Sequence, residues 1–266
     1  MAYPKLAAPN LFSDINTLKS FVMDYGFHGI DWTLRPEDMP SNRVEEVRFF
    51  KTISKLAPLE IRYHLFFPDY ELGDMHNDKA LSAKHRFYEA LDLIAKLSGR
   101  YATVHVGLGR NSMENISWNR TIIGLQDLVT QARNVGIHIS VENLAYGWTG
   151  EPKLYQKLIR TTSCNGTLDI GHAYVCPAVT SGAYEVEDYA LPHPERIISA
   201  HVYHKETATG HTPPVSTSDL EDRLLLLERL PLCNWWVLEL REVEALLQAL
   251  DCVREFLQSK RDRIAM

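Results

Sequence analysis

The chain has 266 residues, 45% hydrophobic and 23% charged, enough to bury a large core as one α/β barrel or two smaller domains. A formal net charge of −6 carries no electrostatic footprint for nucleic acid, whose binders usually show a basic stripe. Four scattered cysteines without a C-x-x-C pair, no signal peptide and no apolar run near the ~20 residues of a membrane span point to a reduced cytoplasmic protein with no membrane partner.

One unit recurs along the chain: an amphipathic helix, a glycine, then a short apolar strand that ends on a polar residue. Residues 5–8 are the expected first strand. Ser13 or Asp14 caps a helix that runs to about Tyr25, and Gly26 supplies its left-handed stop. A strand over 27–32 carries Asp31. Ser41 or Asn42 opens the next helix, with Val44, Val47, Phe50 and Ile53 expected to face inward. The strand over 59–65 carries His64 near its end.

After a loop over 66–78, a helix over 79–97 leads to the strand 101–106, which carries His105. Gly107-Leu108-Gly109 turns out of it. A helix over 118–134 stops at Gly136, and the apolar run that follows ends on Glu142. A helix over 152–160 precedes the strand 166–169, which ends on Asp169. The strand 197–202 carries His201, the helix 220–230 is leucine-rich, and the strand 235–239 ends on Glu239. A helix over 243–257 closes the pattern.

Asp31, His64, His105, Glu142, Asp169, His201 and Glu239 are spaced 27 to 41 residues apart, which suits a strand–helix unit repeated around a single (β/α)8 TIM barrel. No linker or composition break divides the chain, so residues 1–266 read as a single domain. The alternative is a doubly wound open sheet, but no Gly-rich phosphate loop follows its first strand.

In such a barrel the C-terminal strand ends converge on one face, where active sites are built. Singly, each residue has an ordinary explanation: His105 as a hydrogen-bonded core histidine, Asp169 as a cap, Glu239 as an ion-pair partner of Arg241 or Arg196, and His211 as a loop residue. One shared face accounts for them together. His172 and His211 fall beside the same strand ends, and so many imidazoles and carboxylates on one mouth call for a divalent cation. Trp148 is the expected wall against a substrate. His28, His76, His85, His138 and His193 read as structural or solvated, and His204 is left open.

These pieces resemble the xylose isomerase-like TIM-barrel superfamily, which includes sugar isomerases and epimerases and the endonuclease IV enzymes. The matching segments are Gly26-Phe27-His28-Gly29-Ile30-Asp31, Val104-His105-Val106-Gly107, Val141-Glu142-Asn143, Leu168-Asp169-Ile170-Gly171-His172-Ala173, Ala200-His201-Val202 and Leu238-Glu239-Leu240-Arg241. The resemblance implies that Glu142, Asp169, His201 and Glu239 hold one divalent metal, with His172 facing the substrate. In the endonuclease IV branch, His64, His105, His172 and His211 map onto ligands of further metals. That branch expects an acid where this chain has Thr209, and many relatives carry an acid where it has His204.

The implied activity is a metal-dependent isomerase or epimerase of a sugar or sugar derivative, with Mn2+ or a similar ion. Glu142 and Glu239 would move a proton through an enediolate, with Arg241 and His172 orienting hydroxyls. The alternative is an endonuclease IV-like phosphodiesterase using Zn2+, against which the net charge and the absence of basic loop runs count. A metal-free binding or scaffold barrel ranks third. The expected partner is a small carbohydrate rather than nucleic acid, and family barrels often form homo-oligomers.

Overall fold

The computed structural model describes residues 3–107 and 113–265. Leu108 and Gly109 of the expected turn lie outside the described residues, as do Met1 and Ala2. The first strand is β1 (Lys5–Pro9), followed by α1 (Ile15–Asp24), β2 (Gly29–Leu34) and α2 (Arg43–Ser54). Then come β3 (Glu60–Leu65), α3 (Asn77–Lys96), β4 (Tyr101–Val104) and α4 (Trp118–Asn134). The chain continues through β5 (His138–Glu142), α5 (Pro152–Thr162), β6 (Asn165–Asp169) and the short helices α6 (Ile170–Val175) and α7 (Pro177–Thr180). Last are β7 (Ile197–His201), the hairpin β8 (Lys205–Thr207) and β9 (Gly210–Thr212), α8 (Glu221–Glu228), β10 (Trp235–Val237) and α9 (Val243–Ala265).

Local chemistry sets the element ends. The Asp14 carboxylate accepts from the Thr17 amide to start α1, and the Asn42 side chain accepts from the Val44 and Glu45 amides to start α2. Gly26 and Gly136 reverse the chain after α1 and α4 with φ of +62° and +77°, a conformation that disfavours side chains. Helix α2 departs from the inward face expected of it. Val44 is 70% exposed and Val47 is also exposed, while Phe50 packs against the core and Ile53 is buried, because the C-terminal half of α2 is the part that meets the core.

Among the described residues, eight parallel strands close into a barrel in the order β1-β10-β7-β6-β5-β4-β3-β2. Strand alternation sorts side chains to two faces. Ile139 and Val141 of β5 and Leu168 of β6 join the main apolar core with the helices, and Ala7, Trp235 and Val237 form a separate small cluster. The alternate residues Ser140, Glu142, Thr167 and Asp169 are buried and polar, so this barrel's interior is largely hydrophilic toward its C-terminal end. No helix among the described residues is long and apolar enough to cross a membrane.

Candidate metal centre

Glu142, Asp169 and His201 are the last residues of three neighbouring strands, β5, β6 and β7. Their shared height in the barrel brings their side chains together with Glu239, two residues beyond β10. Glu142 is the hub. Its Oε2 lies 3.1 Å from His105 Nε2, 3.4 Å from His64 Nε2 and 3.2 Å from His201 Nδ1, and its Oε1 lies 3.4 Å from His172 Nδ1. Glu239 Oε2 stands 3.1 Å from the same His201 Nδ1.

Among the described residues, four sets of donor atoms lie close enough to share a cation, each set within 4.8 Å: Glu142-Asp169-His201-Glu239, His64-His105-Glu142, His172-Glu206-His211 and Asp31-His64-His201. The first set fits a divalent ion best. It gathers three carboxylates around one imidazole in a buried place, a charge that protein groups alone leave uncompensated. Among the described residues, buried Asp169 Oδ2, both ring nitrogens of His201 and His64 Nδ1 make no well-aligned hydrogen bond, although His201 Nδ1 faces the Glu142 and Glu239 carboxylates and Asp169 Oδ2 faces His172 Nδ1. Buried polar atoms are normally well paired, so these atoms are available to ligate a cation.

Surrounding bonds hold the ligands in place. Asp169 Oδ1 accepts from the His172 amide at 2.6 Å, capping α6, while Oδ2 stands 3.2 Å from His172 Nδ1 and 3.7 Å from His201 Nδ1. The Asn143 side chain stitches β5 to β6: its Oδ1 accepts from the Asp169 amide (2.8 Å) and its Nδ2 donates to the Asp169 carbonyl (2.9 Å). His211 Nδ1 donates to the Glu239 carbonyl at 2.7 Å, which leaves Nε2 as an acceptor.

Electrostatics follow from burial and crowding. Burial pushes the Glu142 carboxyl up, but the His201, His105 and His64 imidazoles outweigh it and hold it well below the usual carboxylate range. Burial lowers His201, yet Glu142 and Glu239 raise it well above an ordinary histidine. Burial drives His64 down to about 3 and Asp31 up to about 7. The centre is a network of coupled acids and bases with its charge balance unfinished.

A cavity of about 490 Å³ opens above this network. Glu142, Glu206, Glu239 and Glu242 line it, as do His64, His105, His172 and His211, with Arg241 the one cation among the described lining residues. Phe66, Leu144 and Tyr146 supply an apolar wall. Its size and mixed lining suit a small molecule.

Residues 20–256 match the family model of the xylose isomerase-like TIM barrel. The chain belongs to this family. Solved structures with the same fold include a D-tagatose 3-epimerase-like protein, with a TM-score of 0.74 and 15% identity over 98% of this chain and 99% of that one. Endonuclease IV from Thermus thermophilus aligns with a TM-score of 0.67 and 15% identity, covering 96% and 100% of the two chains. The IOLI protein with a binding zinc atom aligns at 0.69 and 14%, covering 97% of each. At these identities the likeness is one of fold.

Within this family frame, the structure brings together Glu142, Asp169, His201, Glu239, His64, His105, His172 and His211, and places Arg241 at the cavity rim. Trp148 stands elsewhere: it packs edge-on against Trp118 with ring centroids 5.2 Å apart, and Tyr146 faces the cavity instead. His204 lies outside the four donor sets, beside Arg223 and Tyr174. Thr209 lines the cavity, and the carboxylate absent there comes from Glu206, which sits opposite His211 across the β8–β9 hairpin. The sequence places His211 in a loop, whereas the structure forms the β8–β9 hairpin there. Gly210, which follows the Ala208-Thr209 turn with φ of +115°, was the available hairpin signal.

Proposed function

We propose that this protein is a divalent-metal-dependent isomerase or epimerase acting on a small sugar or sugar derivative. The observation that carries this reading is the approach of Glu142 and Glu239 to one atom, His201 Nδ1, at 3.2 and 3.1 Å from strands separated by β6 and β7. Both carboxylates also line the cavity.

A divalent ion held by Glu142, Asp169, His201 and Glu239 would supply Lewis-acid polarisation of a substrate carbonyl and acidify the neighbouring C–H. One of Glu142 and Glu239 takes the proton from that carbon, and the other, or a water, returns it through a planar enediolate. His172 Nε2 and Arg241 orient hydroxyls. Phe66, Leu144 and Tyr146 reduce water access to the reacting carbon.

Glu142→Gln tests the assignment. Turnover is expected to disappear while the folded far-ultraviolet spectrum persists, and an active variant would remove Glu142 from the chemistry.

A second reading, a zinc-dependent phosphodiesterase, draws on the His64-His105-Glu142 and His172-Glu206-His211 sets, which offer places for further ions. The cavity lining opposes it: four acids against a single Arg241 suit a neutral polyol better than a phosphate backbone. One bound ion per chain supports the isomerase, and two or three zinc ions support the phosphodiesterase. We also take the chain as a single cytoplasmic domain.

A further inference from the structure

Two residues before each of His105, Glu142, Asp169 and His201 the chain carries a hydroxyl: Thr103, Ser140, Thr167 and Ser199. The corresponding positions before Asp31, His64 and Glu239 are Gly29, Arg62 and Val237. The hydroxyl layer therefore belongs to the four adjacent strands β4 to β7. Side chains two residues apart share a face, so it lies one pleat below the ligands, inside the barrel.

All four residues are buried, and their oxygens bond to one another. Thr167 Oγ1 is the centre, 2.8 Å from Ser140 Oγ, 2.8 Å from Ser199 Oγ and 3.1 Å from Thr103 Oγ1. Buried hydroxyls cost free energy unless bonded, and valine would fill the same space without that requirement. What the hydroxyls add over valine is direction.

The β6–β7 pairing shows where direction is needed. Gly166 lies opposite Ile197, but Thr167 lies opposite Ser199, so β7 accommodates Ile198 as one extra residue. Beyond this bulge Asp169 pairs with His201. Without the shift, Asp169 would stand opposite Ala200 and Thr167 opposite Ile198. A one-residue slip turns every side chain beyond it to the other face.

We propose that Thr167, through its bond to Ser199, locks the shifted β6–β7 register that sets Asp169 level with His201, and is thereby a positioning residue for the divalent-cation site. The proposal rests on the reading that Glu142, Asp169, His201 and Glu239 hold the ion. Thr167 touches neither ion nor substrate; it acts through Ser199 and the strand pairing.

The test is calorimetric titration of metal-stripped wild-type protein, Thr167→Val and Thr167→Ser with Mn2+ alone, beside the thermal midpoint of each. Thr167→Val is expected to weaken Mn2+ binding about tenfold or more, and Thr167→Ser, which keeps the hydroxyl, to restore it. A merely structural role would lower the midpoint and leave the Mn2+ affinity unmoved, and that result overturns the proposal. If Thr167→Val fails to fold, Ser199→Ala breaks the same bond from β7 and must weaken Mn2+ binding; unchanged affinity there overturns it equally. Unchanged affinity in the variants leaves the metal reading standing, whereas no Mn2+ binding by the wild type contradicts that reading and the lock together.

Discussion

His64 Nε2 and His105 Nε2 face one another at 2.9 Å, with Glu142 Oε2 within 3.4 Å of both. Two imidazole nitrogens this close must share one proton or one cation, since two N–H groups would repel. In the isomerase account they share a proton, and the ion sits in the neighbouring four-residue set. His105→Ala is then expected to leave the ion count at one per chain, read by elemental analysis of purified protein. Loss of one of two ions would place a metal between the histidines and favour the phosphodiesterase.

Metal uptake should release protons. Without metal, Glu142 and Glu239 outweigh the burial of His201 and raise its pKa well above an ordinary histidine, which favours its charged form. A metal ligand must be neutral imidazole, so binding displaces about one proton per ion from this residue. The sign follows: affinity falls as pH falls, because protons compete for the same nitrogen. Titration of Mn2+ into weakly buffered protein with a pH indicator reads this directly; uptake with no acidification would contradict the charged state assigned to His201.

Asn143→Ala should cost both stability and metal affinity. The side chain pairs the Asp169 amide and carbonyl at 2.8 and 2.9 Å, and alanine leaves both without these partners in a buried place. Two orphaned backbone groups cost about 2–4 kcal/mol, readable by urea unfolding of the metal-free protein. A change below about 0.5 kcal/mol would show that the β5–β6 clamp is dispensable.

Gly171→Ala should disturb the mouth through packing alone. A Cβ there would meet the Tyr203 ring at 2.2 Å, and that ring stacks on His211 with centroids 3.8 Å apart. Overpacking of this kind costs about 1–3 kcal/mol and pushes Tyr203 into His211. The thermal midpoint should fall, and the His211 ring resonances should shift in the proton spectrum; an unchanged spectrum would mean the loop yields freely.

The barrel was legible because its strands repeat one local grammar, and Glu142 shows why. An acid ending an apolar strand has few reasons to be there except a site, and six other strand ends repeat the pattern. The alternation that puts Ile139 and Val141 outward also puts Glu142 inward without tertiary information. Glu206 was not legible in the same way. It reaches the site through cross-strand pairing with His211 in a two-stranded hairpin of three residues each, too short for an alternation signal. Trp148 packs against Trp118, and a tryptophan's neighbours depend on where its loop lands, which local sequence does not encode. The exposure of Val44 has the same origin: helical spacing defines a stripe but not how far along it the helix touches its neighbours.

The central claim is proton transfer at a carbon beside a sugar carbonyl by Glu142 and Glu239. Its most direct test is incubation of Mn2+-loaded protein with a panel of ketoses, keto-acids and their phosphates in D2O, followed by mass spectrometry. The account predicts that at least one substrate gains a single carbon-bound deuterium, and that Glu142→Gln and Glu239→Gln both abolish the gain. No deuterium in any of the panel, together with cleavage of a phosphodiester by the zinc-loaded protein, would contradict it.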